Sequence, residues 1–179
     1  MPPILFISSP FKVCNCKTYF SFRYGTFSSK ELVKAAVDNG VTALALTNIN
    51  STCDIWDFVK YCREEGVKPI TGAEVRNNKG QLLYILIAAN NKGLLWINEF
   101  LSQHFKQAKP FPFSALEEPF FTDTWDGFVI YPLGSKEPGQ LFGNEKIDVL
   151  PSEVNKLFSL DLKATAYKWI IRQPVTFQN

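Results

Sequence analysis

The sequence has one histidine, His104, and it falls inside a helical stretch. A metal centre built from several imidazoles is therefore excluded. No stretch approaches the roughly 18 consecutive apolar residues a membrane helix needs. The short apolar run Ile4–Ile7 has no charged residue before it and is too short for a secretory core. A cytoplasmic protein that does not engage a membrane is the expectation. Lysines and arginines form no run, and a net charge of +2 is spread over both signs, which gives this segment alone little electrostatic claim on nucleic acid. The cysteines Cys14, Cys16, Cys53 and Cys62 form no C-x-x-C pair. Reduced structural thiols follow, and no cofactor is expected. Internal repeats and low-complexity segments are absent as well.

What the chain does have is apolar mass. Hydrophobic residues make up 46% of 179 positions, enough for one domain with its own core. The sixteen Phe and four Trp are plentiful, and some are expected on a docking surface. Ser28-Ser29-Lys30-Glu31 reads as a capping box. It opens a helix with Leu32, Val33, Ala35, Ala36 and Val37 on its apolar side and Gly40 as left-handed cap. Val41–Thr47 follows, apolar on both faces, as in a parallel sheet covered on both sides. The cycle repeats with a helix beginning at Ser51 or Thr52 and carrying Ile55, Phe58, Val59 and Cys62. Gly66 ends it, and Val67–Thr71 is a strand. After the turn Asn77–Gly80 comes the strand Leu82–Ala88, then a long helix capped by Asn90 or Asn91 with Leu94, Ile97, Phe100, Leu101 and Phe105 on one side. Strand and helix alternating with short links predict parallel β/α units.

Between Lys106 and Asp126 the pattern breaks into prolines and aromatics, read as a surface excursion (106–126) within a single domain spanning 1–179. Its aromatics, Phe111 to Trp125, either dock a partner or pack back over the sheet. Gly127–Tyr131 and Ile147–Leu150 are the next strands, Pro151 opens a short helix, and Trp169–Phe177 is a last extended run interrupted by Pro174.

In β/α barrels chemistry sits where strands end, here at Asn15-Cys16-Lys17, Thr47-Asn48-Ile49 and Gly72-Ala73-Glu74. The stretch Asn15–Gly25 resembles the first motif of the polymerase and histidinol phosphatase (PHP) domains, H-x-H-S-x-Y-S-x-x-D-G, with Ser21 and Gly25 in register. Ala43–Ile49 is similar to the strand ending T-D-H, and Lys68–Glu74 to the one ending G-x-E. Leu83–Gly93 and Asp126–Ile130 resemble the continuation found in bacterial replicative polymerases. The likeness runs in order from about residue 11 to 135, and Pro174–Asn179 approaches the family's last ligand strand.

The resemblance implies a distorted, TIM-like, seven-stranded β/α barrel of the PHP type, incomplete at its C-terminus if the closing strands are missing. It also implies a metal site whose ligand positions are Asn15, Lys17, Asn48, Ile49, Glu74 and Leu83, with Gly134 near a family cysteine. Only Glu74 keeps a ligand-type side chain. Ile49 and Leu83 cannot coordinate, and Lys17 at neutral pH has donors only, so neither a metal nor catalytic residues are expected. Lys17 is expected to stand in for the metal charge beside Glu74, with Asn15 and Asn48 adding neutral hydrogen bonds. A solvated lysine and an unpaired glutamate are the alternative. Arg23 and Tyr24 are candidate phosphate contacts or loop packing, and His104 is a structural histidine. The function implied is a non-catalytic PHP module of a replicative DNA polymerase. It would stabilise the remaining domains and offer a surface to a proofreading exonuclease subunit, meeting DNA only through the full-length enzyme. The alternative is a metal-dependent phosphoesterase or proofreading exonuclease. An exposed sheet edge, if strands are missing, would favour pairing between copies.

Overall fold

The computed structural model describes residues 11–115, 125–157 and 165–173. Seven strands form one sheet in chain order: β1 (Phe11–Cys16), β2 (Val41–Ile49), β3 (Lys68–Arg76), β4 (Leu82–Ala88), β5 (Gly127–Pro132), β6 (Glu145–Val149) and β7 (Trp169–Ile171). Three helices, α1 (Ser29–Asp38), α2 (Ile55–Glu64) and α3 (Asn91–Gln107), pack on its outer face. The sheet is a curled half-barrel of the α/β class, and among the described residues β1 and β7 are its two edges.

Local chemistry sets the helix starts. Ser28 caps α1 through the reciprocal bonds of a capping box with Glu31, and Asn90 caps α3 by accepting from the Lys92 and Gly93 amides. The start expected at Ser51 or Thr52 is displaced to Ile55. Ser51 Oγ closes a turn by accepting from the Cys53 amide, and the Thr52 hydroxyl goes to Asn98 in α3. Asp54 precedes the helix in a left-handed conformation, φ 71°, with its carboxylate taken by the Ser29 hydroxyl. Both hydroxyls are spent elsewhere, so neither is left to cap.

Two strand expectations need correcting. β3 does not stop at Thr71 but runs on to Arg76, because β2 pairs with it as far as Ile49–Glu74 and β4 pairs from the other side. The sheet is also not wholly parallel. β4 is antiparallel to both β3 and β5, while β1–β2–β3 and β5–β6–β7 are parallel. The turn at Asn77–Gly80 makes a hairpin instead of a crossover: Asn77 Oδ1 accepts from the Lys79 and Gln81 amides, and Gly80 takes φ +78°. Six strands thus end at one rim, and β4 contributes its beginning.

Under α1 and α2 the core holds Leu32, Val33, Leu44, Leu46, Phe58 and Cys62. Under α3 it holds Tyr84, Leu86, Ile97, Phe100, Val129 and Tyr131. Each such large side chain contributes about 1.5–3 kcal/mol. The described ends of the 106–126 excursion fold back on this core. Phe111 stacks against His104 with ring centroids 4.9 Å apart, the Ala115 amide donates to the Tyr131 hydroxyl at 3.1 Å, and Trp125 is buried. The middle of the excursion and the stretch from Pro174 lie outside the described residues. A 3-10 helix, Pro151–Leu157, stands where a short helix was expected.

Candidate functional site: a rim filled with charge

Strand alternation divides the sequence-predicted residues between two faces. Cys16 and Leu46 pair and belong to the outer core, so Asn15 and Lys17 face inward. In the ladder, Ile49 pairs with Glu74 and Glu74 with Ile85, which puts Ile49 beside the inward carboxylate. At this rim the Lys17 ammonium lies 2.7 Å from Glu74 Oε2 and donates to Asn15 Oδ1 at 2.6 Å. Asn15 Nδ2 donates to the same carboxylate oxygen at 2.9 Å. Arg76, two residues along β3 and so on the same face, donates through Nε to Glu74 Oε1 at 2.6 Å. Lys17 is 1% exposed and Glu74 0%. The ammonium beside the sole surviving ligand-type residue is thus a buried ion pair, not a solvated lysine.

Asn48 does not join this cluster, contrary to expectation. It points to the other side of β2 and holds the loop that follows β1. Its Oδ1 accepts from the Thr18 amide at 2.9 Å and the Ser21 hydroxyl at 2.8 Å, while its Nδ2 donates to Thr18 Oγ1 and the Cys53 carbonyl. Ser21 Oγ in turn accepts from the Ile49 amide. Leu83 also lies apart, packed in the core under α3. Gly134 occupies a turn after β5 at φ +86°.

Three participants were not anticipated. Arg76 bridges the Glu74 carboxylate, the Gly80 carbonyl and the face of Tyr24, whose centroid is 4.2 Å from the guanidinium. Its i+2 spacing from Glu74 was the available signal, hidden by ending the strand at Thr71. Asp148 of β6 is fully buried and paired with Arg172, just past β7. A lone carboxylate within Ile147-Asp148-Val149 was the cue. Asn50, at φ 50°, exchanges two hydrogen bonds with the Arg76 backbone and so fixes the end of β3.

The electrostatics follow from burial. Desolvation pushes the Glu74 carboxyl up, but Lys17, Asn15 and Arg76 outweigh it and hold the group below its usual range. For Lys17, desolvation outweighs the Glu74 attraction, and Arg76 and Arg172 add to the fall, so its ammonium sits below the ordinary lysine value. Asp148 goes up because burial exceeds the pull of Arg172. Positive and negative groups interleave, Lys17 with Glu74 and Arg76, Asp148 with Arg172. Arg23, by contrast, is exposed on the rim at φ 67°.

This architecture, a curled seven-stranded sheet with its polar side chains gathered at one rim, is that of a PHP domain, and the chain belongs to that family: the PHP domain model matches residues 14–128. Its relatives include DNA polymerase III subunit alpha of Pseudomonas fluorescens, 28% identical over 145 residues that make up 78% of this chain and 12% of that protein. The same subunit of Pasteurella multocida is 30% identical over 62% of this chain and 10% of its own length. The chain thus spans about a tenth of the curated relatives it matches. Among solved structures, one from Bifidobacterium adolescentis, described as a putative metal-dependent phosphoesterase, superposes with TM-score 0.60 over 96% of this chain and 88% of its own at 11% identity, a likeness of fold.

A metal ion is what such a fold implies, and the donor set here does not fit one. The only carboxylate among the expected ligand positions already has both oxygens bound to an ammonium, an amide and a guanidinium. A cation placed there would meet Lys17 at hydrogen-bond range. Among the described residues no three His, Cys, Asp or Glu side chains group as a metal cluster.

Proposed function

We propose that this chain is a PHP module of a DNA polymerase III alpha subunit that has exchanged hydrolytic metal chemistry for a structural role. In this reading residues 1–179 form one unit of a longer, cytoplasmic polymerase chain. The unit braces the other polymerase domains and offers its exterior to a proofreading exonuclease subunit. The relatives named as DNA polymerase III alpha support the parentage. The observation that carries the loss of chemistry is the Lys17 ammonium lying 2.7 Å from Glu74 inside the barrel rim. A buried cation held by an ion pair and an amide does electrostatically what a metal ion would do for that carboxylate, without a displaceable water to activate.

The test is direct. Purified protein incubated with manganese or zinc, then desalted, is analysed for bound metal and assayed on a phosphodiester substrate. The reading requires substoichiometric metal and no turnover above a Glu74→Gln control. Stoichiometric metal with Glu74-dependent hydrolysis would establish the phosphoesterase or exonuclease alternative instead.

A further inference from the structure

The loop Thr18–Phe27 displays three of its aromatic rings outward, while Phe27 anchors its end in the core. Tyr19 is 52% exposed, Phe20 46% and Phe22 81%. A slack loop with this composition would bury its rings on itself, but the backbone here is pinned. Ser21 donates to Asn48, the Ser21 carbonyl accepts from the Tyr24 and Gly25 amides, and the Tyr19 amide donates to the Phe27 carbonyl. Arg23 is held in the left-handed region, a conformation that persists only where the surroundings impose it. A Cβ at position 25 would overlap the Thr18 carbonyl, so Gly25 alone permits this tight return.

Acidic groups adjoin the loop where it enters α1, at Glu31 and Asp54, while the side facing the β3–β4 hairpin carries cations. No Asp or Glu occurs from Met1 to Lys30, nor from Val75 to Asn98. Arg23 lies over the Phe22 ring at 5.6 Å and Arg76 over Tyr24 at 4.2 Å. The Asn77–Gly80 turn, with exposed Lys79, flanks the Tyr24 hydroxyl. Tyr19 and Phe20 lean on one another with centroids 4.8 Å apart.

We propose that this aromatic loop, with Arg23 and the Lys79 turn beside it, is a stacking platform for single-stranded DNA. Rigid exposed rings offer π-faces to unpaired bases, and the flanking cations meet the phosphates; this pairing of features is how sequence-tolerant single-strand binding is built. Arg76 is spent on Glu74, so the free cations of the patch are Arg23 on the loop and Lys79, which the hairpin turn brings beside Tyr24. An acidic protein segment would match the cations but would not call for exposed aromatic rings beside them. The platform goes beyond the bracing role proposed above and stands whether or not a proofreading subunit docks elsewhere.

Fluorescence anisotropy of a labelled oligothymidylate of about 12 nucleotides, titrated with the 179-residue chain at low salt, tests it. Phe22→Ala is expected to weaken binding about 5- to 150-fold, the value of one lost stacking partner. The Phe22 ring is almost free of the core, so circular dichroism and the thermal midpoint should not change. Arg23→Ala should flatten the log–log salt dependence by about 0.7, one phosphate's worth on a single strand. No binding at low salt, binding untouched by Phe22→Ala and Tyr19→Ala, or equal competition by polyglutamate would each overturn the proposal. The last would assign the patch to acidic protein segments.

Discussion

Replacing Lys17 by methionine keeps most of the side-chain volume and removes the buried ammonium. Glu74 would then retain Asn15 and Arg76 at 2.9 and 2.6 Å, while Asn15 Oδ1 would lose its donor. Removing one member of a buried ion pair costs about 3–5 kcal/mol. Because Arg76 still compensates one carboxylate oxygen, the lower figure of about 3 kcal/mol is expected. For a chain of this size that lowers the melting midpoint by about 6–12 °C. The double variant Lys17→Met/Glu74→Gln removes both charges and should recover at least about 1.5 kcal/mol relative to the sum of the single changes. Urea unfolding of the four proteins in the cycle measures each term. The pH dependence follows from Glu74, whose folded carboxyl lies below its unfolded value. On acidification the unfolded chain takes up the proton first, so the wild-type advantage over Glu74→Gln is complete above the ordinary carboxylate range. It fades as pH falls through the depressed folded value. A Lys17→Met cost below about 1 kcal/mol, or a strictly additive cycle, would refute the buried-pair account.

Asn48→Asp, which restores the acidic residue type of the PHP motif, strips the donor from the Cys53 carbonyl and Thr18 hydroxyl and should cost about 1–3 kcal/mol. The carboxylate still accepts from the Thr18 amide and the Ser21 hydroxyl, so urea unfolding is the measurement, and a change within experimental error would count against the pinning role. Gly72→Ala drives a methyl into the Leu86 backbone carbonyl across the β3–β4 ladder and should destabilise by more than about 1–3 kcal/mol, since backbone cannot yield as a side chain does. A loss within experimental error would mean the hairpin register is wrong. Burial pushes the Cys62 thiol up to about 12, whereas Cys53 is exposed. Iodoacetamide at pH 8 should therefore label Cys53 in the folded protein and leave Cys62 until denaturant is added; early labelling at Cys62 would contradict the core packing.

The capping box of α1, a cap for α3 at Asn90 or its neighbour Asn91, and the strand β2 were legible because each rests on short-range chemistry with a distinct residue pattern. The hairpin was not. Leu82–Ala88 is apolar on both faces, and such a run pairs equally well in either direction. Only the length of the Asn77–Gln81 connection, too short for a crossover helix, decides. At the site, the positions of Asn15, Lys17, Ile49 and Glu74 could be read from motif order. The division of labour between Asn15 and Asn48 could not, because it depends on which way β2 turns each side chain after Leu46. Asp148 and Arg172 approach the rim from β6 and β7, far along the chain, and nothing local announces their meeting.

Arg76 reaches three structures: the interior carboxylate through Nε, the hairpin turn through the Gly80 carbonyl, and the exterior ring of Tyr24 beneath its guanidinium. The balance of the barrel's inner charge and the seating of its outer aromatic loop are thereby tied to one side chain, and a substitution at Arg76 would unsettle both at once.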